Sequence, residues 1–406
     1  MSMRQLLPAA LVAASAVAGT ALGWAAWGEG RAPVLAILLP LAIAMCRNRL
    51  QAFALAGGYA IGVLRTAGVF IAGWFDNNPA VAIGSLLVYA AVAGATWCIG
   101  WSANRSPAAR AAWMALAWLL ALAPPFALGM PGHPLVAAGY LAPGLGWVGV
   151  VLALAVAAFS GAVPALIERL RPAYRAAGVA VMVAALAVTG QLAAGPPAAS
   201  KGVHAHQTRW GKLESAEQAI DRMQLMGRQS APEGTVLSLW PESILGPWDP
   251  AMHQVLDLEL LARAKRAGRI EVVGMDIVLP GRRLLNGAVA FHPDGSTQTV
   301  VARQPAPISL WRPWRSSDTF LADWRASNVL VLGPDERAAV IFCYEEYLPA
   351  LYLLNELGDR PTMYVALTNT WAARHRTAAA IQTWHSLGMA RLFGRPYVKA
   401  ENGPLD

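Results

Sequence analysis

Charge is scarce in this 406-residue chain, and the first half has almost none of one sign. Residues 1 to 199 contain ten Arg, no Lys and only three acidic residues, whereas the remainder carries charges of both signs. Charged side chains make up 14% of the whole sequence. So little charge over so long an apolar stretch is typical of a membrane domain and excludes a protein that is soluble throughout.

Cysteine is equally scarce, because the chain has only Cys46, Cys98 and Cys343. The first two fall in apolar stretches and the third in the polar half, which excludes an internal disulfide framework. No motif predicts DNA reading, and the net charge of +8 comes mostly from arginines between apolar stretches. This charge indicates contact with anionic lipid, and no direct nucleic-acid partner is expected.

Seven apolar stretches between residues 1 and 195 predict a transmembrane domain of about seven helices. The predicted spans are 6–27, 33–46, 50–75, 80–101, 111–128, 146–166 and 176–192. Arginines cluster at alternate connections between them, and Lys and Arg near helix ends stay in the cytoplasm. The sequence therefore predicts a multi-pass inner-membrane protein with a cytoplasmic N-terminus and a periplasmic C-terminal domain.

Arg65 lies deep in the third apolar stretch. A charge inside a membrane is costly and by default indicates a function, with backbone, water or a lipid phosphate as its partner. The alternative is that the span is drawn wrongly and that Arg65 extends to the membrane surface.

Residues 196–202 form a linker of small residues, and residues 203–406 form the second predicted domain. Strand-length apolar runs at 235–240, 270–278, 287–291, 299–302, 338–343 and 362–367 alternate with helical segments at 215–226, 252–267 and 378–392. This alternation predicts an α/β layered sandwich. His375 and His385 are ten residues apart with no Cys or acidic partner at metal-ligand spacing, so neither a metal site nor a cofactor is predicted.

Two reactive side chains end two of these apolar runs. Cys343 follows Val340-Ile341-Phe342, and Glu242 follows Leu239-Trp240-Pro241. A thiolate can attack a carbonyl or nitrile carbon and form an acyl-enzyme, provided that a base such as Glu242 removes its proton and a donor stabilises the oxyanion. Taken alone, Cys343 fits a buried core thiol better, because free Cys is among the most buried residue types.

Five short motifs between residues 205 and 403 resemble the carbon–nitrogen hydrolase (nitrilase) superfamily in their order. They are Trp240-Pro241-Glu242-Ser243, Asn286-Gly287-Ala288 followed by Pro293-Asp294-Gly295, Cys343-Tyr344-Glu345, Thr368-Asn369-Thr370-Trp371, and Glu401-Asn402-Gly403. With membrane spans before them, they look most like the apolipoprotein N-acyltransferases and the conjugal transfer TraB proteins. The resemblance implies an αββα sandwich and a role in plasmid conjugal transfer.

The family's Glu–Lys–Cys triad is only partly present in this sequence. Carried over, it makes Glu242 the base and Cys343 the nucleophile, with Glu345 as the acidic residue that follows the nucleophile. The segment that should supply the lysine reads Val301-Ala302-Arg303-Gln304-Pro305, so Gln304 stands in its place with Arg303 beside it. Glutamine can donate a hydrogen bond but carries no charge, and loss of one oxyanion donor typically costs about 10²–10³ in rate.

The resemblance also implies residues that contact the substrate. Asn369, Trp371 and Trp311 are predicted to bind it, and the segment from Trp311 to Arg315 is either an amphipathic loop on the membrane surface or a packed surface loop. The family's sandwich continues beyond the Asn-Gly motif, whereas this sequence stops at Asp406. We therefore expect that the sheet is incomplete, that the sequence is shortened, or that another subunit completes the edge.

Two hypotheses follow for the whole chain. The first is a membrane-bound, thiol-dependent N-acyltransferase or amidase that takes an acyl group from a membrane phospholipid. The second is a catalytically degenerate nitrilase-fold scaffold that binds other proteins of the conjugation apparatus. Fold alone does not decide between them.

Overall fold

The computed structural model describes residues 3–28, 33–104, 106–129, 131–167, 201–248, 250–373 and 376–404. Its contacts divide the chain into two units. The helical unit comprises Met1–Pro196, Tyr347–Ala350 and Thr383–Gly394, and the sheet unit comprises Pro197–Glu346, Leu351–Gln382 and Arg395–Asp406. Two short later segments thus join the first unit, which a boundary based on composition does not anticipate. The limits 1–195, 196–202 and 203–406 stay predictions.

Up to Ile167, the described part of the helical unit is built from eight α-helices and two short 3-10 helices. The α-helices are α1 (Met3–Ala26), α2 (Leu39–Ala44), α3 (Arg49–Val63), α4 (Ala67–Trp74), α5 (Pro79–Cys98), α6 (Pro107–Leu122), α7 (Leu135–Leu141) and α8 (Gly146–Ile167). The 3-10 helices are Pro33–Leu38 and Phe126–Gly129. Asn48, Asn78 and Ser106 cap α3, α5 and α6 by accepting hydrogen bonds from backbone N–H groups of the first turn.

Three helical segments in the described residues are long and apolar enough to cross a membrane: Leu7–Ala26, Pro79–Cys98 and Gly146–Ile167. The pair α3–α4, bent by 67°, makes a fourth if it is one broken span. The predicted stretch 33–46 instead forms a 3-10 helix and the short α2, and 111–128 contains the end of the 16-residue α6. The stretch 176–192 lies outside the described residues, so the number seven stays a prediction.

Arg65 lies at the bend between α3 and α4. Its guanidinium donates hydrogen bonds to the carbonyl oxygens of Trp27 (3.0 Å) and Gly62 (3.3 Å), and it lies 5.3 Å from the centre of the Trp24 ring. Of the partners considered from the sequence, backbone carbonyls are therefore present. They supply acceptors for a charge that is only partly exposed.

Helices α1 and α3 pack closely because several contact positions have no side chain. A Cβ atom on Gly58 would lie 2.1 Å from the carbonyl oxygen of Ala16, and one on Gly62 would lie 2.3 Å from that of Thr20. Small residues of this kind allow helix backbones to approach within a membrane. The fit of these two helices therefore depends on glycine.

The sheet unit contains two mixed sheets. The first has the order β1-β3-β5-β6-β7, with β4 beside β5 and β8 beside β6, and the second has the order β2-β12-β11-β10-β9. The strands are β1 (Val203–Ala205), β2 (Gln207–Thr208), β3 (Leu237–Leu239), β4 (Pro247–Trp248), β5 (Ile270–Leu279), β6 (Arg283–Phe291), β7 (Thr297–Val301), β8 (Thr319–Phe320), β9 (Val329–Val331), β10 (Arg337–Phe342), β11 (Met363–Asn369) and β12 (Tyr397–Asn402).

Four helices accompany the sheets: α9 (Ala216–Arg228), α10 (Pro250–Ala267), α11 (Pro349–Gly358) and α12 (Arg376–Leu392). The two sheets share one buried core, to which Leu239 and Val272 contribute from the first sheet and Val340 and Leu367 from the second. A second core joins the first sheet to Met226 of α9 and to Leu260 and Ala264 of α10. On the second sheet, the ring of Tyr364 lies 5.0 Å from that of Tyr352 of α11. This layering agrees with the predicted α/β sandwich.

Strand β12 has a neighbour on each side. It pairs with β11 over six residues and with the two-residue β2, both in parallel. In the described residues the outer strands of this sheet are β2 and β9. Because β2 pairs with only Glu401 and Asn402 of β12, the expected incomplete edge stays a prediction.

Candidate active site

Cys343 is the first residue after β10 and begins the 3-10 helix Cys343–Tyr347. Its φ of 28° lies in the left-handed region, where a residue with a side chain is strained. The thiol points toward the carbonyl oxygen of Asn369, with a sulfur–oxygen distance of 3.9 Å. The Gln382 amide donates to the Cys343 carbonyl oxygen (3.4 Å) and to its sulfur (3.7 Å). The chain turns sharply at this residue and presents its sulfur to polar groups.

Glu242 lies three residues after β3 and is 4% exposed. Its Oε1 accepts a hydrogen bond from Asn286 Nδ2 on β6 (2.5 Å). Gly274 on β5 makes this position accessible, since a Cβ there would lie 2.6 Å from the Cα of Glu242 and 2.2 Å from the carbonyl oxygen of Pro241. The absence of a side chain on β5 therefore lets the carboxyl enter the interior.

The Glu242 carboxyl and the Cys343 thiol interact, although about a hundred residues separate them in the sequence. Burial raises the pKa of Glu242 to about 8, while hydrogen bonds from Asn286 and from the Cys343 side chain lower it in part. Burial likewise raises the pKa of the Cys343 thiol well above its ordinary value, and the nearby Glu242 carboxyl raises it further. A carboxyl with a pKa near neutrality can accept a thiol proton and return it.

Glu345 is fully buried and organises the backbone around the site. Its Oε1 accepts hydrogen bonds from the backbone N–H groups of Arg303 (2.6 Å) and Gln304 (2.9 Å), and its Oε2 accepts one from that of Phe342 (2.9 Å). Burial raises the pKa of Glu345 to about 7, against these hydrogen bonds, which lower it. Glu345 thereby holds the segment after β7 against the end of β10.

Gln304, the residue in the place of the family lysine, directs its amide toward other groups. Its Nε2 donates to the carbonyl oxygen of Pro305 (2.9 Å), and its Oε1 accepts from Trp324 Nε1 (3.0 Å). Arg303 donates to the carbonyl oxygen of Ala326 (2.7 Å) and to Asn355 Oδ1 (2.6 Å). Both residues lie beside Glu345, but these hydrogen bonds do not aim their side chains at Cys343. A catalytic role for Gln304 stays a prediction.

The three predicted substrate-binding residues have different positions. Asn369 lies at the end of β11 beside Cys343, and its Oδ1 accepts a hydrogen bond from Asn402 Nδ2 (2.9 Å). Trp371 follows β11, and its ring centre lies 6.0 Å from Lys212 Nζ. Trp311 belongs to a turn in which its backbone N–H donates to the carbonyl oxygen of Ala306 (2.9 Å). Their contacts with substrate stay predictions.

Sequence reasoning did not predict the contacts of four polar residues that the fold brings to the site. Asn286 belongs to a recognised motif, but its contact with Glu242 could not be predicted from it. Gln382 lies on a helix with no motif around it. Glu346 pairs with Lys399 on β12, with an Oε1–Nζ distance of 3.1 Å.

Comparison with known proteins places the whole chain beside conjugal transfer proteins. It is 28% identical to "Probable conjugal transfer protein TraB" of Sinorhizobium fredii over 99% of this chain and 100% of that protein. It is also 28% identical to "Conjugal transfer protein TraB" of Agrobacterium fabrum over 97% of this chain and 92% of that protein. No family model matches the chain. The TraB part of the predicted resemblance is thus supported, whereas the resemblance to apolipoprotein N-acyltransferases stays a prediction.

Solved structures of carbon–nitrogen hydrolases align with about half of the chain. A carbon–nitrogen hydrolase from Helicobacter pylori covers 49% of this chain and 71% of its own, with a TM-score of 0.37 and 12% identity. A superfamily protein from Xanthomonas campestris covers 44% of this chain and 67% of its own, with a TM-score of 0.32 and 18% identity.

Proposed function

We propose that this chain is a membrane-bound, thiol-dependent N-acyltransferase or amidase in which Cys343 forms an acyl-enzyme and Glu242 is the base. The observation that carries the proposal is the interaction of the buried Glu242 carboxyl with the thiol of Cys343, which lies at a strained turn after β10. A nucleophile hydrogen-bonded to a base that a third group orients is the usual arrangement for covalent catalysis. Asn286 is that third group, through its hydrogen bond to Glu242.

The proposed reaction has two steps. Glu242 takes the proton of Cys343 while the sulfur attacks the carbonyl carbon of an ester or amide, and a carbon–sulfur bond forms. The bond to the alcohol or amine then breaks, and the leaving group takes the proton from Glu242. In the second step, an amine or water attacks the thioester, the carbon–sulfur bond breaks, and the thiol regains a proton through Glu242.

The cellular setting is proposed from the relatives and from the candidate spans. We propose that the chain acts in plasmid conjugal transfer at the inner membrane, with its N-terminus cytoplasmic and the sheet unit periplasmic. The basic residues at alternate connections support this orientation. A membrane phospholipid is the proposed acyl donor, and proteins of the conjugation apparatus are the proposed partners.

A second candidate function is a non-catalytic scaffold of the conjugation apparatus. One observation favours it: the Gln304 amide, in the place of the family lysine, is bound to Trp324 and Pro305. The two candidates differ in whether Cys343 ever carries an acyl group.

Intact mass spectrometry of the full chain, purified in detergent from its own membrane, tests the proposal. We expect an acyl adduct that hydroxylamine removes, and we expect its loss in Cys343→Ala and its strong reduction in Glu242→Gln. Cys98→Ala is the matched control, because it removes a thiol from α5 and should keep the adduct. An unmodified Cys343 after incubation with phospholipid vesicles would reject the enzyme and leave the scaffold.

A further inference from the structure

We infer that Lys399 is a positioning residue for the nucleophile: through its ion pair with Glu346, it fixes the turn at Cys343 and keeps a buried positive charge beside it. No lysine occurs in the segment 301–308, where the family places one. Lys399 comes from a different strand, β12, and precedes the Asn-Gly motif by three residues. The inference deepens the proposed function. The effect of Lys399 on the reactivity of the thiol does not depend on that function, whereas its effect on turnover does.

The register of the second sheet brings Lys399 near the end of β10. Ile341 of β10 is paired with Ala366 of β11, and Ala366 is paired with Lys399 of β12. Paired residues of neighbouring parallel strands point to the same face, with about 4.8 Å between strands. Ile341, Ala366 and Lys399 therefore form one row, and the methyl group of Ala366 leaves space beside the lysine. Cys343 follows Ile341 by two residues.

The ion pair fastens the turn that contains the nucleophile. Glu346 lies in the same 3-10 helix as Cys343, and its carboxyl is fully buried. Its Oε1 meets Lys399 Nζ (3.1 Å) and Thr368 Oγ1 (3.0 Å), and its Oε2 accepts from the Tyr397 hydroxyl (2.7 Å). Donors from β11 and β12 thus converge on one residue of the turn. This arrangement restrains the backbone three residues after Cys343.

A positive charge at this place matters because the surroundings of Cys343 are acidic. Glu242, Glu345 and Glu346 are all buried, and negative charge opposes formation of a thiolate. Arg303 directs its guanidinium to Ala326 and Asn355. Lys399 is a second buried cation near these carboxyl groups, and its side chain is 9% exposed.

The directions in which the pKa values of Lys399 and Cys343 are shifted agree with this role. Burial lowers the pKa of Lys399, but the charges of Glu346 and Glu401 outweigh burial and raise it above its ordinary value, so the ammonium stays charged at neutral pH. Burial raises the pKa of Cys343, Glu242 raises it further, and Lys399 acts in the opposite direction. A buried ion pair adds little stability compared with an apolar pair, so its distinctive contribution is charge and orientation.

The test is the pH dependence of Cys343 alkylation by iodoacetamide, followed by peptide mass spectrometry on the full chain in detergent. In Lys399→Met we expect the midpoint of the alkylation rate against pH to rise by about one pH unit. At a fixed pH below that midpoint, alkylation of Cys343 then becomes about tenfold slower. Lys399→Arg should restore most of the rate, because it keeps the charge. Lys265→Met, on the exposed surface of α10, is the matched control and should leave the profile unchanged.

The outcomes separate this inference from the proposed function. An unchanged profile in Lys399→Met, or equal profiles in the Met and Arg variants, would overturn it. If Lys399→Met does not fold, the double variant Lys399→Met/Glu346→Gln leaves no unpaired buried charge, and its profile is compared with that of Glu346→Gln. Alkylation needs no acyl donor, so the lysine effect can be present even where the acyl adduct is absent.

Discussion

The two units of this protein differ in the residues that fill their interiors. In the helical unit, α1 and α3 approach each other where side chains are missing, as at Gly58 and Gly62. In the sheet unit, the interior accepts charged side chains, among them Glu242, Glu345 and Arg303. Both units contain positions that are sensitive to added volume, Gly274 among them, but the sheet unit is also sensitive to removed hydrogen-bonding groups.

Polar groups inside the helical unit follow a different rule from those in the sheet unit. Around Gly132, whose φ is +80°, the backbone N–H donates to His385 Nε2 (3.0 Å) and the carbonyl oxygen accepts from the Tyr59 hydroxyl (2.7 Å). Trp27 Nε1 in turn donates to that hydroxyl (2.9 Å). Uncharged side chains thus satisfy a backbone turn here, whereas Glu345 does so with a carboxylate in the sheet unit. An unsatisfied backbone group is costly in both environments.

The largest effect is expected for Glu345→Ala. The substitution leaves the buried backbone N–H groups of Arg303, Gln304 and Phe342 without their carboxylate acceptor. We expect the free energy of unfolding to fall by about 3 kcal/mol or more, which lowers the melting temperature in detergent by roughly 6 °C or more. Glu336→Ala, on the exposed turn before β10, is the control. Equal melting temperatures for the two variants would contradict the structural role of Glu345.

A smaller loss is expected for Gly58→Ala in the helical unit. The new methyl group would lie 2.1 Å from the carbonyl oxygen of Ala16, so α1 and α3 must separate. Overpacking of this kind typically costs about 1–3 kcal/mol. Gly84→Ala on α5 is a matched control, because no heavy atom lies within 4 Å of its new methyl group. In detergent, the melting temperature of Gly58→Ala should be below that of the wild type, and the melting temperature of Gly84→Ala should equal or exceed it.

A pH-dependent effect is expected for Glu242→Gln. The folded-state pKa of Glu242, about 8, lies above its ordinary value of 4.5, so the folded state holds the proton more tightly than the unfolded state. This contribution to stability is complete below pH 4.5 and is lost as the pH rises through 8. The melting temperature of Glu242→Gln relative to the wild type should therefore increase from pH 5 to pH 8. The exposed Glu233→Gln is the control, and a constant difference would show that Glu242 is already ionised at pH 5.

The smallest effect is expected for the surface pair of Arg282 and Asp318. Their charged atoms lie 2.7 Å apart, but the two side chains are 81% and 48% exposed. Exposed ion pairs are typically worth about 0–1 kcal/mol, because water and salt screen them. A double-mutant cycle with Arg282→Ala and Asp318→Ala should give a coupling energy of about 0.5 kcal/mol or less. A coupling energy above about 1 kcal/mol would contradict the expectation that this exposed ion pair contributes little to stability.

Some of the longer strands could be located from the sequence with small errors, whereas β6, predicted at 287–291, is observed as Arg283–Phe291. The predicted strand at 270–278 is observed as Ile270–Leu279, and the one at 338–343 as Arg337–Phe342. Continuous apolar runs mark such buried strands well. The two- and three-residue strands β1, β2, β4, β8 and β9 were not predicted, because a period of two needs several residues to be seen.

The candidate site could be predicted as a list of residues but not as an arrangement. The motifs identified Glu242, Cys343 and Glu345, and the structure places them together. The sequence also placed Gln304 where the family has lysine, but it could not show that this amide binds Trp324 and Pro305. Side-chain direction in a loop depends on neighbours that are distant in the sequence.

Composition and local pattern by themselves determined that this chain has an apolar helical half and an α/β half, because burial in lipid and in a sheet leaves different periodicities in the sequence. Tertiary structure alone decided what surrounds Cys343. Gly274 of β5 leaves room for the backbone of Glu242, and Lys399 reaches Glu346 because three parallel strands are in register. Such contacts depend on how strands pair, and pairing is a property of the whole sheet rather than of any one segment.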